Sequence, residues 1–217
     1  MLKKLSAEKI DEILKIGIGE FAQNGLDQAN ISEIARKSGV SVGVLYKYYR
    51  NKDGLFEACL TRCISALEAV IQSVLKGEDK ILVRAEKLIR ALQRSAKEQP
   101  AYSVLYHEIT AGSCRKYAPV LARKIEGISA RSYSAFLSQA QAEGDVRADM
   151  NPRLFAFFFD SMLMMLQFSY CCEYYKERFQ IYCGEDVLSR DDRVATELLK
   201  FFESAFTTER SHIAHRR

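Results

Sequence analysis

Proline and glycine are scarce in this chain, with three prolines and eleven glycines among 217 residues. Almost no alternating strand pattern appears between them, which excludes a fold of short strands and predicts an all-α protein of about nine helices. A long uninterrupted apolar run is also missing. The longest, Leu154 to Tyr170, is interrupted by Asp160 and Gln167 and is shorter than the ~20 residues a membrane span needs. No apolar segment follows Lys3-Lys4, so nothing reads as a signal peptide. The expectation is a cytoplasmic protein with no membrane partner.

Motifs for chemistry are absent too. There is no Gly-rich phosphate loop, no Ser or Cys nucleophile motif, no Cys-x-x-Cys and no His-x-x-x-His. His107 stands beside Glu108, but neighbours on a helix point about 100° apart and form no working dyad unaided. His212 and His215 fall in a basic tail. These absences predict no enzyme, no cofactor and no bound metal. The six cysteines (Cys59, Cys63, Cys114, Cys171, Cys172 and Cys183) suit free, mostly buried thiols. Cys59 and Cys63, four apart on a predicted helix, could supply half a metal site, but no other half is present.

What is present is concentrated between Asn30 and Leu55. Asn30 can cap a short helix, with Glu33 completing an Asn-x-x-Glu capping box, and Ile31, Ile34 and Ala35 give that helix an apolar face. Ser38-Gly39-Val40 breaks it, and Ser41 caps a second helix running through Tyr48. This is the helix-turn-helix layout, whose second helix lies in a DNA major groove. From Ile34 to Lys52 the chain carries Arg36, Lys37, Lys47, Arg50 and Lys52 and no acidic residue. The overall charge of +4 is modest, so this concentration is more telling than the total. Arg36, Lys37 and Arg50 are expected to supply salt-sensitive attraction, and Lys52, at a helix start, to meet a phosphate. Tyr46 and Tyr48 can give hydroxyls to phosphates. Ser41, Val42, Val44 and Lys47, near the start of the second helix, are the candidate base readers. Gly43 allows either close approach to DNA or close packing on the first helix.

The run Gly-Val-Ser-x-Gly-x-Leu-Tyr-x-Tyr-Tyr-x-x-Lys-Asp-x-Leu from Gly39 to Leu55, preceded by Phe21, Asn24-Gly25 and Ile34-Ala35, resembles the TetR family of bacterial transcription regulators. A weaker echo runs from Glu143 to Asp149. Two positions depart from the family pattern. Ala29-Asn30 stands where a Thr-Thr or Thr-Ser pair is usual, and Tyr49 replaces the usual Phe, adding a hydroxyl that must be satisfied.

The resemblance implies an N-terminal helix-turn-helix domain (1–54) and a C-terminal effector-binding and dimerisation domain (55–217). It also implies a homodimer on a palindromic double-stranded operator, with half-sites about 34–36 Å apart or a multiple of that. The family dimerises through its last two long helices, here one from Pro152 to about Tyr182 and one from about Ser189. Phe155, Phe159, Val194, Leu198, Phe201 and Phe202 are the candidate interface. A helix apolar on nearly every side, as the Pro152 helix is, needs covering on every side. The resemblance further implies a cavity for a small hydrophobic effector, with Tyr102, Tyr106, Phe136, Phe158, Met162 and Met165 as candidate walls. Two other readings remain open: a ligand-independent architectural DNA binder, and a repressor sensing redox state or metal through its cysteines.

Overall fold

The computed structural model describes residues 5–76, 79–110 and 118–206. Among these residues the chain forms ten α-helices and one 3-10 turn, and no strand. The helices are α1 (Ala7–Gln28), α2 (Ile31–Lys37), α3 (Val42–Tyr49), α4 (Lys52–Leu75), α5 (Ile81–Glu98), α6 (Pro100–Thr110), α7 (Ala118–Ala142), α8 (Pro152–Cys171), α9 (Glu173–Cys183) and α10 (Asp191–Phe206), with the turn at Val187–Ser189. Cys114, His212 and His215 lie outside the described residues.

The tenth helix comes from a break in what reads as one helix from Pro152 to Tyr182. Cys172 is extended (φ −102°, ψ 128°) and separates α8 from α9. No proline or glycine stands there. The cause is tertiary: turning at Cys172 lets Tyr175 reach Phe168 and Phe179 reach Tyr170, with ring centroids 5.6 and 6.2 Å apart. Such aromatic pairs outweigh one interrupted helical turn.

Two compact units divide the chain, one comprising residues 1–67 and 99–122, the other 68–98 and 123–217. In the first, α1 packs along α6 and against α2. Phe21 and Phe56, both fully buried, meet edge to face at 5.1 Å, surrounded by Ile13, Ile18, Ile34, Leu45 and Leu55. Gly17 is needed for that packing, since a Cβ there would lie 2.8 Å from the Cys59 sulfur. Gly25 (φ 66°) bends α1 at the expected cap position, and one further turn follows it. Burial pushes the Cys59 and Cys63 thiols up, Cys63 to about 12, so neither is a reactive thiolate near neutral pH.

In the second unit, α5 packs against α8 and α10 around an aromatic cluster. Phe159 lies 4.7 Å from Phe202 and 5.2 Å from Tyr133, Phe202 stacks on Phe206 at 5.6 Å, and Phe155 meets Phe206 at 5.0 Å. This corrects the expected interface set: Phe159 and Phe202 are buried within their own chain, and Phe155 is half-buried on Phe206. Leu154, Phe157 and Phe158 on α8 and Phe201 on α10 are the exposed ones. The Glu143–Asp149 segment is the turn before α8. Gly144 takes φ 81°, Arg147 pairs with Asp149 at 2.6 Å, and the Arg147 amide donates to the Phe206 carbonyl at 2.8 Å. By length and composition alone α4 and α8 are each long and apolar enough to cross a membrane, a test that the core helix of a soluble protein also passes. The inner side of α8 is occupied by the aromatic cluster.

Asp160 interrupts the apolar run of α8 and lies near Glu126, Ser129 and Tyr133 of α7. Burial, reinforced by the Glu126 charge and opposed by a hydrogen bond with Ser129, pushes its carboxyl up to about 7. A raised acid keeps its proton in the folded state after the unfolded chain has lost it. Its cost therefore grows as pH rises from about 4 to about 7 and is complete above that. Asp160→Asn should raise the thermal midpoint clearly at about pH 8 and little at about pH 4. Equal shifts at the two pH values in parallel thermal melts would contradict this.

Candidate nucleic-acid interface

The interface is built from local capping chemistry. The Asn30 side chain accepts from the Ser32 and Glu33 amides (2.9 and 3.3 Å) and starts α2. Ser38 ends it, with the Gly39 amide donating to the Arg36 carbonyl and the Val40 amide to the Ala35 carbonyl. That pair of bonds needs a left-handed residue, and Gly39 supplies it at φ 64°. Ser41 then caps α3 by accepting from the Val44 amide at 3.3 Å. Leu45 is the one fully buried side chain of α3. Ser41, Gly43, Tyr46 and Lys47 are exposed, and Val42, Val44, Tyr48 and Tyr49 are half-buried. The candidate readers thus lie on the outward face of the second helix. A Cβ at Gly43 would meet nothing nearer than the Ser41 hydroxyl at 3.8 Å among the described residues, so close packing does not require glycine here.

Several side chains have partners that the sequence did not disclose. The reciprocal half of the capping box is not Glu33. The Asn30 amide donates instead to the carboxylate of Glu20 at 3.0 Å, which also accepts from the Asn24 amide group at 3.0 Å and is nearly fully buried. Glu33 grips Arg36 through two hydrogen bonds of 2.8 and 2.6 Å. That grip, helped by the Arg36 and Lys37 charges, brings Glu33 down to about 2. Lys37 sits 3.6 Å from Glu33 and 3.9 Å from Glu20. Arg36 and Lys37 thus each have acidic partners within the chain. Lys52 donates to the Asp27 carbonyl at 2.7 Å, tying the start of α4 to the end of α1. The Tyr48 hydroxyl accepts from the Leu5 amide at 2.6 Å, which holds the chain ahead of α1 and leaves the hydroxyl proton to donate. The Tyr49 hydroxyl is buried with no hydrogen-bond partner among the described residues, and burial pushes its pKa up.

Gly54 went unmarked in the sequence and is structurally required. A Cβ there would overlap the Tyr49 carbonyl oxygen, so only glycine lets α4 start this close to the end of α3. The Asn51 side chain caps that start by accepting from the Gly54 amide at 2.8 Å.

The model of "Bacterial regulatory proteins, tetR family" matches residues 13–59, which contain all of this geometry except Leu5. That stretch is the DNA-binding segment of the tetR family. The chain is a DNA-binding transcriptional regulator. A curated relative, the probable acrEF/envCD operon repressor of Escherichia coli (strain K12), is 26% identical over 159 residues, 70% of this chain and 72% of that protein. The fold is shared with FadR of Bacillus subtilis, solved in complex with stearoyl-CoA: TM-score 0.66, 15% identity, 88% of this chain and 97% of that one. It is also shared with AibR, solved with isovaleryl coenzyme A and operator DNA: TM-score 0.59, 17% identity, 75% of this chain and 85% of that one.

Of the expected effector walls, Tyr102 and Tyr106 belong to the first unit and Phe136, Phe158, Met162 and Met165 to the second. Tyr102 is half-buried and its hydroxyl accepts from Arg62 at 2.8 Å, and Tyr106 is half-buried on the same helix. Phe136 is buried under the Arg84 guanidinium at 5.5 Å, and Phe158 is exposed. Met162 and Met165 instead line a groove of about 810 Å³ between α8, α9 and α10, together with the interface candidates Val194, Leu198 and Phe201. Among the described residues no cluster of three or more His, Cys, Asp or Glu side chains could hold a metal ion.

Gly43→Ala should leave the thermal midpoint unchanged or slightly higher, because alanine is the better helix former by up to about 1 kcal/mol. Operator affinity should fall by about tenfold or more if the backbone at this point approaches DNA (about 1.4 kcal/mol). Thermal melts and fluorescence anisotropy check the two halves, and unchanged affinity would remove Gly43 from the interface.

Proposed function

We propose that this regulator is a homodimeric TetR-family repressor that holds a palindromic operator through two copies of α3 and releases it when a small hydrophobic effector binds. The observation that carries the reading is the division of α3: Leu45 inward, with Ser41, Gly43, Tyr46 and Lys47 outward. Lys47 can bond guanine and the valines can touch thymine methyls, while Tyr46 and Lys52 contact phosphate. Lys52 keeps two protons for that contact after its bond to Asp27. With so few polar readers, DNA shape adds to specificity. Residues 1–54 are the DNA-binding part and 55–217 the effector and dimer part.

The dimer face is formed by the outward residues of α8 and α10. Leu154, Phe157, Phe158 and Phe201 are all more than half exposed. They are continuous in chemistry with the groove lined by Met162, Met165, Val194, Leu198 and Phe201. An apolar surface of this kind is a binding surface for a second copy. The effector is an apolar molecule such as an acyl chain. Support comes from fold relatives whose structures hold stearoyl-CoA or isovaleryl coenzyme A. By linkage, an effector that weakens operator binding is itself held less tightly by the DNA-bound protein.

Phe158→Arg tests the dimer. Because Phe158 is exposed, the substituted chain should keep its helicity while its native mass falls to that of a single chain, and operator affinity should drop with it. Phe202→Arg, in the buried cluster, should unfold the chain instead. A Phe158→Arg protein that remains dimeric and binds DNA normally would place the interface elsewhere.

A further inference from the structure

Arg36, Lys37 and Lys52 are each engaged by protein groups, which leaves Lys47 and Arg50 as the motif cations without a protein partner among the described residues. Arg50 is exposed, and its guanidinium makes no ion pair or hydrogen bond among the described residues. Its backbone is unusual. At φ 66° and ψ −53° it is the one non-glycine residue with positive φ among the described residues. The Asn51 amide donates across it to the Tyr49 carbonyl at 2.8 Å, which closes a γ-turn of the rare, strained hand. The Arg50 amide still donates to the Tyr46 carbonyl at 2.8 Å, so Arg50 follows Tyr46 and Lys47 at helical spacing. The bare Cα of Gly54 packs against that same Tyr49 carbonyl, which holds the turn in place.

The other positive-φ positions, Gly25, Gly39, Gly144 and Gly184, all carry glycine. Glycine would relieve the strain at position 50 as well. An arginine there costs stability, and nothing it touches within the chain offsets that cost. We propose that Arg50 is a phosphate-binding residue of the operator interface, kept in a strained turn because a cation is needed where α3 ends and α4 begins. This rests on α3 as the DNA reader. It adds a contact to the phosphodiester backbone at the end of α3 opposite the Ser41 cap.

The test uses the full-length protein and a labelled duplex that the wild type has selected from a random-sequence library. Arg50→Gly should raise the thermal midpoint by about 2–4 °C. It should also weaken binding about tenfold or more near physiological salt, and make the log–log salt dependence shallower by about two for two contacts per dimer. Arg50→Gln, which keeps a side chain in the strained turn, should lose the same affinity with no gain in midpoint. Arg50→Lys should bind within a few-fold of wild type. Unchanged affinity for Arg50→Gly overturns the proposal, and so does an equal loss for Arg50→Lys with the salt slope intact, which would mark a turn of purely structural importance. A wild type that selects no duplex at all would instead overturn the reading of α3 itself.

Discussion

Leu45 is the only side chain that α3 commits fully to the core, so a single residue anchors the helix that must be presented most accurately. One anchor leaves a helix free to rotate and tilt. The orientation is therefore set at its two ends. At the start, the left-handed Gly39 and the Ser41 cap fix the angle from α2, and the Lys9 ammonium donates to the Ser38 carbonyl at 2.9 Å. At the end, the γ-turn at Arg50, the Asn51 cap and the bare Gly54 fix the angle to α4. Backbone geometry does the work that packing does in a buried helix, and it leaves Gly43, Tyr46 and Lys47 of α3 facing outward.

The charges of the motif are sorted by the same structure. Glu20 and Glu33 balance the cations of α2, and the Asp27 carbonyl engages that of Lys52, while Lys47 and Arg50 are left without partners among the described residues. The positive charge of the motif thus converges on one edge, from the outer face of α3 to the turn after it. Concentrated charge of this kind aligns a duplex as well as attracting it. The buried Glu20 has a second role, because its bonds to the Asn24 side chain and the Asn30 amide fasten the bend of α1 to the start of α2.

The helix-turn-helix was readable from the sequence because its signals are local. Asn30 and Ser41 accept from amides two or three residues on, Gly39 donates to a carbonyl three residues back, and the structure places all three as their residue types predict. Glu20 was not readable, since its main partner is ten residues on across a bend, and Glu33 offered a closer and conventional choice. Gly54 was hidden for a similar reason: its importance is a steric approach to Tyr49 that no pattern encodes. In α8 the signal was too strong. With apolar residues at almost every position, periodicity could not separate the inward Phe159 from the outward Phe157 and Phe158. The break at Cys172 had no local mark at all, because aromatic pairs between α8 and α9 cause it.

The central claim is that the outer face of α3 lies in the major groove of duplex DNA, twice per operator. Methylation by dimethyl sulfate tests it most directly, because the reagent attacks guanine N7 in the major groove and adenine N3 in the minor groove. On a duplex selected by the wild-type protein, the account predicts protected guanine N7 atoms in two clusters about 34–36 Å apart or a multiple of that. Bound duplex with no protected N7, or protection confined to adenine N3, would contradict it.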